Sequence, residues 1–190
     1  MENIKYGQIT DFTHFLIENT YKDKSSLVFV DATAGNGFDT LFLCSLVKNN
    51  GFVYAFDIQE DAINRTKRLL ENIPYSNYKL IIDSHEKVLE YIGDNKIDAA
   101  IFNLGYLPNS NKEVKTNPET TINAIRNIIT RLNKNGRIFI CVYIMHDNGE
   151  EARNVLNFVS SLSKKEYNVI QVKLLNKEKF PPELLIIEKN

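Results

Sequence analysis

Short apolar runs alternate with segments of helical periodicity along most of the chain. Five runs, each five to eight residues long and rich in Val, Ile and Phe, predict buried β-strands. They lie at about residues 27–31, 52–57, 78–83, 97–103 and 137–144. Between them, apolar residues recur every three or four positions, which predicts amphipathic helices that begin near residues 38, 60, 86 and 118. Strands that alternate with helices in this way form parallel sheets through right-handed crossovers.

The segment 117–136 contains signals for both the start and the end of a helix. Asn117 is a favourable N-cap and Pro118 suits the first helical turn. The apolar stripe of this predicted helix consists of Ile122, Ile125, Ile129 and Leu132. Gly136 then predicts its end, because glycine readily adopts the left-handed conformation that closes a helix.

The last part of the chain predicts a helix followed by a β-hairpin. Apolar residues between positions 152 and 162 mark the helix, and two strands follow near residues 167–174 and 184–188. Their connection contains Pro181 and Pro182 and is too short for a crossover helix, so the last strand should run antiparallel. We therefore predict one α/β domain over residues 1–190. Its expected architecture is a Rossmann-like, doubly wound sheet of five parallel strands with a terminal β-hairpin, the topology of class I methyltransferases.

Composition is typical of a globular protein and argues against a membrane span. Of the 190 residues, 43% are hydrophobic, and the longest apolar run, Ile138–Met145, is too short to cross a bilayer. The first residues lack the apolar core of a signal peptide. Cys44 and Cys141 form no CxxC pair, which suits a reducing compartment. We therefore expect a cytoplasmic protein with no membrane partner.

Charge is unevenly distributed, although the net charge is only −1. Residues 31–100 contain 11 acidic and 7 basic side chains, a balance of −4, whereas residues 104–137 have a balance of +4. A basic segment beside an acidic one can contact a phosphate backbone. An ordinary solvated loop and helix would show the same pattern.

Polar residues stand at the carboxyl ends of four predicted strands, where ligands of open α/β sheets bind. They are Asp31, Asp57, Asp83 and Asn103. In the turn after the first strand, Gly35 and Gly37 allow a tight bend and a close approach of the backbone to a ligand. Asp57 is placed to accept hydrogen bonds from two ribose hydroxyls, and Asp83 with Ser84 is placed beside an adenine ring. This series predicts a nucleoside cofactor.

Two residues of the first turn distinguish between nucleoside cofactors. A dinucleotide fingerprint requires a third small residue where this chain has Thr40, and a pyrophosphate requires an open helix N-terminus. Asp39 lies there instead, and its charge would repel a pyrophosphate but attract a cationic sulfonium. S-adenosylmethionine therefore fits the sequence better than NAD.

The fourth predicted strand ends in a candidate catalytic motif, Asn103-Leu104-Gly105-Tyr106. It is similar to the Asn/Asp-Pro-Pro-Tyr motif of amino-methylating enzymes, with Leu and Gly in place of the two prolines. In that arrangement the Asn103 oxygen accepts hydrogens from an amine, and the Tyr106 ring stacks on the base that bears it. A turn residue followed by a core tyrosine is the alternative interpretation.

The cysteines and histidines indicate no second chemistry. Both cysteines fall within a predicted helix or strand, so we expect core residues and not nucleophiles. His14, His85 and His146 are scattered, so no metal site is expected. His85 can accept the amine proton, contact adenine or be purely structural. Tyr143 and His146 follow strand five and are expected at the substrate edge.

The chain resembles a family of small bacterial methyltransferases, once labelled rRNA methylases, that modify the wobble uridine of tRNA. The resemblance extends from about residue 30 to residue 189. It rests on Asp31-Ala32-Thr33, Gly35-Asn36-Gly37, Phe56-Asp57-Ile58-Gln59, Asp83-Ser84-His85-Glu86, Asn103-Leu104-Gly105-Tyr106-Leu107-Pro108, Pro118-Glu119-Thr120-Thr121 and Pro181-Pro182. Phe38 and Met145 depart from the pattern, because the family commonly has His and Gly at these positions.

The resemblance implies a reaction, a cofactor and roles for individual residues. The implied reaction is N-methylation, by S-adenosylmethionine and without a metal, of the 5-aminomethyl group of (2-thio)uridine in the anticodon stem-loop of tRNA. The implied cofactor-binding residues are Asp31, Thr33, Gly35, Asn36, Gly37, Asp39, Thr40, Asp57, Ile58, Gln59, Asp83, Ser84, His85 and Asn103. The implied substrate-binding residues are Tyr106, Lys112, Lys115, Arg126, Tyr143 and His146, and the catalytic residues are Asn103, Tyr106 and His85.

Two alternatives stay open at the level of sequence. The acceptor can be another RNA or a small-molecule amine, and the basic segment argues against the small-molecule amine. The chain can also be an S-adenosylmethionine-binding sensor or partner subunit without turnover, which the intact Asn103 and Tyr106 argue against. The sequence leaves open whether the domain forms a homodimer, whether the 2-thio group is required and which tRNAs are preferred.

Overall fold

The computed structural model describes residues 7–105, 117–144, 149–177 and 181–190. Seven strands within these ranges form one sheet: β1 (Leu27–Asp31), β2 (Gly51–Asp57), β3 (Tyr78–Ile82), β4 (Ile97–Asn103), β5 (Leu132–Val142), β6 (Tyr167–Val172) and β7 (Glu183–Lys189). Six α-helices in the same ranges accompany it: α1 (Ile9–Tyr21), α2 (Phe38–Val47), α3 (Glu60–Leu70), α4 (Val88–Ile92), α5 (Pro118–Arg131) and α6 (Glu150–Ser160). A 3-10 turn, His85–Lys87, directly precedes α4.

The strand order of the sheet is β3-β2-β1-β4-β5-β7-β6. The first five strands in this order, β3, β2, β1, β4 and β5, are parallel to one another. β7 lies antiparallel between β5 and β6, so the terminal hairpin folds its second strand back into the sheet. The predicted class I methyltransferase topology is therefore confirmed, including the antiparallel last strand. The direction of winding reverses between β1 and β4, which opens a crevice at the carboxyl ends of these two strands.

Both faces of the central sheet are covered, which explains why the strands read as continuous apolar runs. In β1, Phe29 packs into the layer formed with α1, α2 and α3. Its neighbour Val30 packs into the opposite layer, formed with α4, α5 and α6. Both side chains are fully buried. Because the strand interiors are used for packing on both sides, only the strand ends are left for ligand chemistry.

Helix α5 ends earlier than the sequence predicts. It begins as predicted, with the Asn117 side chain accepting a hydrogen bond from the Glu119 N–H at 2.8 Å. Leu132 already has extended backbone, with ψ 131°, and pairs with Ile97 as the first residue of β5. The prediction that the helix continues to Gly136 is therefore wrong. Leu132 is buried, as its place in the apolar stripe requires, but it is buried as a strand residue.

Gly136 lies inside β5, opposite an irregular pairing of β4. A Cβ atom at this position would lie 2.9 Å from the Asn133 carbonyl oxygen and 3.1 Å from that of Asp98. The register of the β4–β5 pair shifts at the same place, between Ile97 and Ala99. Glycine is therefore required here by the close approach of two backbones and not by a helix end.

Helix α1 is not among the helices predicted from the hydrophobic pattern. Its buried residues are Ile9, Thr13, Ile17 and Tyr21, spaced four apart and hence on one helix face. This face contacts β5 and β7, and α1 also contacts α2. The Tyr21 hydroxyl donates a hydrogen bond to the carbonyl oxygen of Asp98 at 2.7 Å. None of the helices in the described ranges combines the length and apolarity that crossing a membrane requires.

Candidate active site at the carboxyl ends of the strands

Asp31, the last residue of β1, fixes the loop that leads into α2. Its side chain is completely buried. One carboxylate oxygen accepts a hydrogen bond from the Thr40 hydroxyl at 2.6 Å, and the other accepts one from the Thr33 N–H at 3.0 Å. The loop is therefore attached at both of its ends to a single buried carboxylate.

Asp57, at the end of β2, connects the first loop to the second. Its two carboxylate oxygens accept hydrogen bonds from the N–H groups of Gly35 and Gln59, both at 2.9 Å. Each oxygen has a further lone pair that these contacts do not use. The next residue, Ile58, leaves 55% of its surface exposed, so an apolar side chain lies beside the carboxylate. A carboxylate held in this way can accept two hydrogen bonds from neighbouring hydroxyl groups.

The glycines of the first loop both have positive φ, 56° at Gly35 and 86° at Gly37, with the half-buried Asn36 between them. At Gly37 the space for a side chain is already filled, because a Cβ would lie 2.8 Å from the Thr66 Cα atom of α3. The sequence suggested that this glycine leaves room for a ligand. The structure shows that its missing side chain faces α3, so the residue lets the start of α2 pack closely on that helix.

Asp39 joins three elements at the mouth of the crevice. It lies in the first turn of α2 and is only 8% exposed. Its Oδ1 atom is 2.6 Å from Nε2 of His14 on α1, and its Oδ2 atom accepts a hydrogen bond from Nδ2 of Asn103 at 3.3 Å. The Asn103 N–H donates to the Thr33 hydroxyl at 2.7 Å. Asn103 thus uses its main-chain N–H and one N–H of its amide, and no hydrogen bond among the described residues occupies its amide oxygen, which can act as an acceptor.

His14 is the site residue that sequence reasoning missed. In the sequence His14 is one of three scattered histidines, because Asp39, the residue it contacts, is 25 residues away. The spacing of Ile9, Thr13, Ile17 and Tyr21 was the available signal, since it predicts a helix that carries His14 next to its buried face. The contact with Asp39 itself depends on how α1 packs on α2, and no local pattern in the sequence encodes that.

The carboxylates make this edge of the sheet strongly negative. Burial, followed by the charge of Asp39 and more weakly that of Asp57, raises the pKa of Asp31 to about 7, against the opposing hydrogen bonds from Thr40 and Thr33. A cation beside these groups would be attracted by all three and would favour the ionised form of Asp31. The electrostatics of the site therefore fit a positively charged ligand.

Asp83 and Ser84 follow β3 and are engaged mainly with their own segment. Asp83 accepts hydrogen bonds from Lys87, from the Tyr91 hydroxyl and from the Ser84 N–H, and together they hold the pKa of this carboxyl below its usual range. The Ser84 hydroxyl caps the 3-10 turn by accepting from the N–H of Glu86 at 3.4 Å. The carboxylate therefore stabilises the turn before α4, and its proposed contact with adenine remains a prediction.

His85 presents a buried hydrogen-bond acceptor. Its Nδ1 atom is 2.9 Å from the carbonyl oxygen of Ala32, which can only accept, so Nδ1 carries the proton and Nε2 carries a lone pair. Nε2 is buried and has no protein partner among the described residues. Burial lowers the pKa of His85, which keeps the ring neutral near pH 7. A donor such as the exocyclic amine of a nucleobase would satisfy this nitrogen.

Several predicted substrate residues lie at the rim of the site or beyond it. Tyr143 is 38% exposed immediately after β5. Phe38, which departs from the family pattern and was not assigned to the substrate, is 67% exposed at the start of α2. Arg126 is exposed two turns along α5, roughly 12 Å from the start of the helix. Its guanidinium lies 5.0 Å from the ring centroid of Phe158 on α6. Tyr106, Lys112, Lys115 and His146 lie outside the described residues.

The two cysteines are core residues, as predicted. Cys44 and Cys141 are free and buried, and burial raises the pKa of each thiol to about 12. Neither can act as a nucleophile near neutral pH. In the described ranges, no three His, Cys, Asp or Glu side chains are grouped in a way that could hold a metal ion.

Comparison with known proteins identifies relatives of this chain. A family model described as "Putative rRNA methylase" matches residues 53–188. A chloroplastic tRNA (mnm5s2U34) methyltransferase of Arabidopsis thaliana is 33% identical over 183 residues, which cover 90% of this chain. The match spans 66% of the length of that relative.

Two crystal structures are similar over nearly the whole fold. A Clostridium thermocellum protein that carries the same description as the family has a TM-score of 0.90 and 37% identity, over 99% of this chain and 100% of its own. A Streptococcus mutans methyltransferase solved in complex with SAH has a TM-score of 0.85 and 40% identity, over 95% of this chain and 97% of its own. The family model alone covers more than half of the chain. This protein therefore belongs to the rRNA methylase family of class I methyltransferases.

Proposed function

We propose that this enzyme uses S-adenosylmethionine to methylate the 5-aminomethyl group of (2-thio)uridine at the wobble position of tRNA, giving 5-methylaminomethyl-(2-thio)uridine. That the chain is a methyltransferase follows from its family and its relatives. The specific acceptor is supported by the name of the Arabidopsis relative and by one observation in this structure: Asn103 is held at the end of β4 with its amide oxygen available as an acceptor.

The residues at the strand ends fit S-adenosylmethionine. Bound there, the cofactor would supply a methyl group on an already activated sulfonium. Asp57 would accept hydrogen bonds from ribose hydroxyls through its unused lone pairs, and Nε2 of His85 would accept one from the adenine amine. Asp31 and Asp39 would face the positive charge of the methionine end. The buried, unpartnered nitrogen of His85 and the excess of carboxylates are the observations that favour this assignment.

Asn103 would orient the acceptor amine. A primary amine attacks through its lone pair, so its N–H bonds must point away from the methyl group. The Asn103 oxygen would accept one of these N–H groups, while Asp39 holds the amide NH2 of the asparagine and Thr33 holds its main-chain N–H. The contribution is mainly one of orientation, which can account for a large share of a rate enhancement. Tyr106 is expected to stack on the uracil ring, and Lys112, Lys115 and Arg126 to contact RNA phosphates.

The decisive test is methyl transfer with the purified protein to tRNA that contains 5-aminomethyl-2-thiouridine, followed by nucleoside mass spectrometry. We expect loss of the aminomethyl nucleoside and appearance of its N-methylated form. Asn103→Ala should abolish turnover while calorimetry shows S-adenosylmethionine affinity within about threefold of wild type, because this residue acts on the acceptor. Asn168→Ala is the matched control and should have wild-type activity, because this exposed residue of β6 lies at the other end of the sheet and its side chain contacts Asn190.

The same assay separates the alternatives. Cofactor binding without a methylated product, on this tRNA or on total RNA, would contradict the proposal and favour a sensor or partner subunit. Product formed only from small amines would contradict the RNA assignment. An equal loss of cofactor binding and turnover in Asn103→Ala would show that this residue does not act on the acceptor.

A further inference from the structure

His14 contacts the candidate catalytic residue through one intermediate. Nε2 of His14 is 2.6 Å from Oδ1 of Asp39, and Oδ2 of the same carboxylate accepts from Nδ2 of Asn103 at 3.3 Å. The three residues come from α1, α2 and β4, and the contacts join elements that are far apart in sequence. The His14–Asp39 contact is slightly shorter, and the Asn103–Asp39 contact slightly longer, than the roughly 2.7–3.2 Å of most N–H···O hydrogen bonds.

The direction of each hydrogen bond is fixed by chemistry. An ionised carboxylate only accepts, so Nε2 of His14 must donate to Asp39, and the NH2 group of Asn103 must do so as well. The amide oxygen of Asn103 therefore points away from Asp39. If the Asn103 amide turned over, its oxygen would face a carboxylate oxygen and its NH2 group would face the acceptor amine. The orientation of the asparagine thus depends on Asp39 remaining in place.

The position of the His14 ring is itself determined by α2. The ring stacks on Phe42 with a centroid separation of 3.9 Å and an interplanar angle of 6°. Phe42 lies one turn after Asp39 on the same helix, so the imidazole contacts α2 at two points. The stack fixes the plane of the imidazole ring, and in this plane Nε2 points at Asp39. His14 is therefore held against α2 by both a ring contact and a hydrogen bond.

We propose that His14 is a positioning residue of the methyltransferase site, which fixes the Asp39 carboxylate and through it the amide of Asn103. The proposal rests on the proposed function, since it assumes that the Asn103 oxygen orients the acceptor amine. Without the His14 donor, Oδ1 of Asp39 loses its hydrogen-bond partner on α1 and the carboxylate can rotate toward water. Asn103 would then sample orientations in which its oxygen no longer faces the substrate.

Two substitutions separate hydrogen bonding from packing. His14→Phe keeps an aromatic ring on Phe42 but has no N–H for Asp39. His14→Gln has no ring but can place an amide N–H close to where Nε2 lies. We expect kcat to fall about 10- to 100-fold in His14→Phe, as for a small misplacement of a catalytic group. In His14→Gln, kcat should return to within about threefold of wild type, with the KM for tRNA and the Kd for S-adenosylmethionine nearly unchanged in both.

The controls address folding and surface charge. Glu18→Gln alters an exposed residue on the same helix and should leave every parameter unchanged. Thermal unfolding of each variant shows whether α1 is still packed. If His14→Phe does not fold, His14→Asn replaces it, because the shorter amide cannot reach Asp39. An equal loss of kcat in the Gln variant and in the non-donating variant, or an unchanged kcat in the latter, would overturn the proposal.

A second measurement does not depend on the substrate. In 15N-labelled protein without cofactor, the side-chain NH2 resonances of Asn103, assigned by their loss in Asn103→Asp, report the hydrogen bond to Asp39. They should shift in His14→Phe and return toward wild type in His14→Gln. Resonances that do not respond to His14→Phe would refute the contact chain itself. If they respond but wild-type protein does not methylate the aminomethyl nucleoside, the proposed function fails while the coupling of His14 to Asn103 stands.

Discussion

The replacement Gly37→Ala tests whether the start of α2 depends on close packing against α3. Gly37 has φ 86°, and an added Cβ would lie 2.8 Å from the Thr66 Cα and 3.0 Å from its Oγ1. The nearest of these atoms belongs to the backbone of a helix, so it cannot move without shifting α3. The substitution therefore imposes two separate costs, one from backbone conformation and one from steric overlap.

Both costs can be estimated. A left-handed conformation costs an L-residue about 1–2 kcal/mol relative to glycine. Overfilling a packed site costs about 1–3 kcal/mol. The sum, roughly 2–5 kcal/mol, is a large fraction of the about 5–15 kcal/mol by which a domain is typically stable. Because Asp39 lies two residues further on, the same displacement should also weaken S-adenosylmethionine binding.

Gly149→Ala is the matched control. Gly149 directly precedes α6 as Gly37 precedes α2, and both have left-handed backbone, with φ 74° and ψ 20° at Gly149 and φ 86° and ψ 2° at Gly37. The atom nearest to a Cβ at Gly149 is Nη1 of Arg153 at 3.1 Å, the end of a long side chain and not the backbone of a helix. The conformational cost and the lower entropy of the unfolded chain are similar in both variants, so they largely cancel in the comparison. Urea unfolding followed by circular dichroism should show Gly37→Ala less stable than Gly149→Ala by roughly 1–3 kcal/mol, the cost of the steric overlap with α3. Equal stability of the two variants would refute the packing role of Gly37.

Three further results are expected from buried charge, buried thiols and the basic segment. Because burial raises the folded-state pKa of Asp31 from near 4 to about 7, the native state binds the extra proton, and the free energy of unfolding should fall as pH rises between these values. Asp31→Asn should remove that part of the slope, and an identical pH profile would contradict it. Cys44 and Cys141 should react with a thiol reagent at pH 8 only after unfolding, and labelling of native protein would contradict their burial. Charge reversal at Lys112 and Lys115 should weaken tRNA binding and reduce its salt dependence, whereas an unchanged salt dependence would place the RNA elsewhere.

The parts of the fold that the sequence predicts are those that a single chemical pattern determines. The parallel strands read as uninterrupted apolar runs because helices cover both faces of the sheet, so that Phe29 on one face and Val30 on the other are both buried. The antiparallel last strand follows from a connection too short for a crossover. The predicted end of α5 is wrong because two patterns overlap there. Leu132 continues the helical stripe and also begins a strand, and its pairing with Ile97 decides between them.

The site divides in the same way. The polar residues that end β1, β2 and β4 could be found from sequence, because parallel strands bring their carboxyl ends to one edge. Their partners could not be found, since the contacts of Asp39 with His14 and Asn103 depend on how three separate elements pack. The sequence identifies Gly37 but not why glycine is needed there, because the atom that a side chain would overlap, Cα of Thr66, belongs to a helix nearly thirty residues later.

The carboxylates at this edge combine a structural and a functional role, and the two have opposite requirements. Asp31 and Asp57 organise their loops by accepting backbone and hydroxyl hydrogen bonds, which favours the ionised form. Their proximity to Asp39, together with burial, opposes ionisation of Asp31. A cationic ligand removes the conflict, because its charge stabilises all three carboxylates without displacing a hydrogen bond. We therefore expect S-adenosylmethionine to stabilise these loops and to release a proton from Asp31 when it binds at neutral pH.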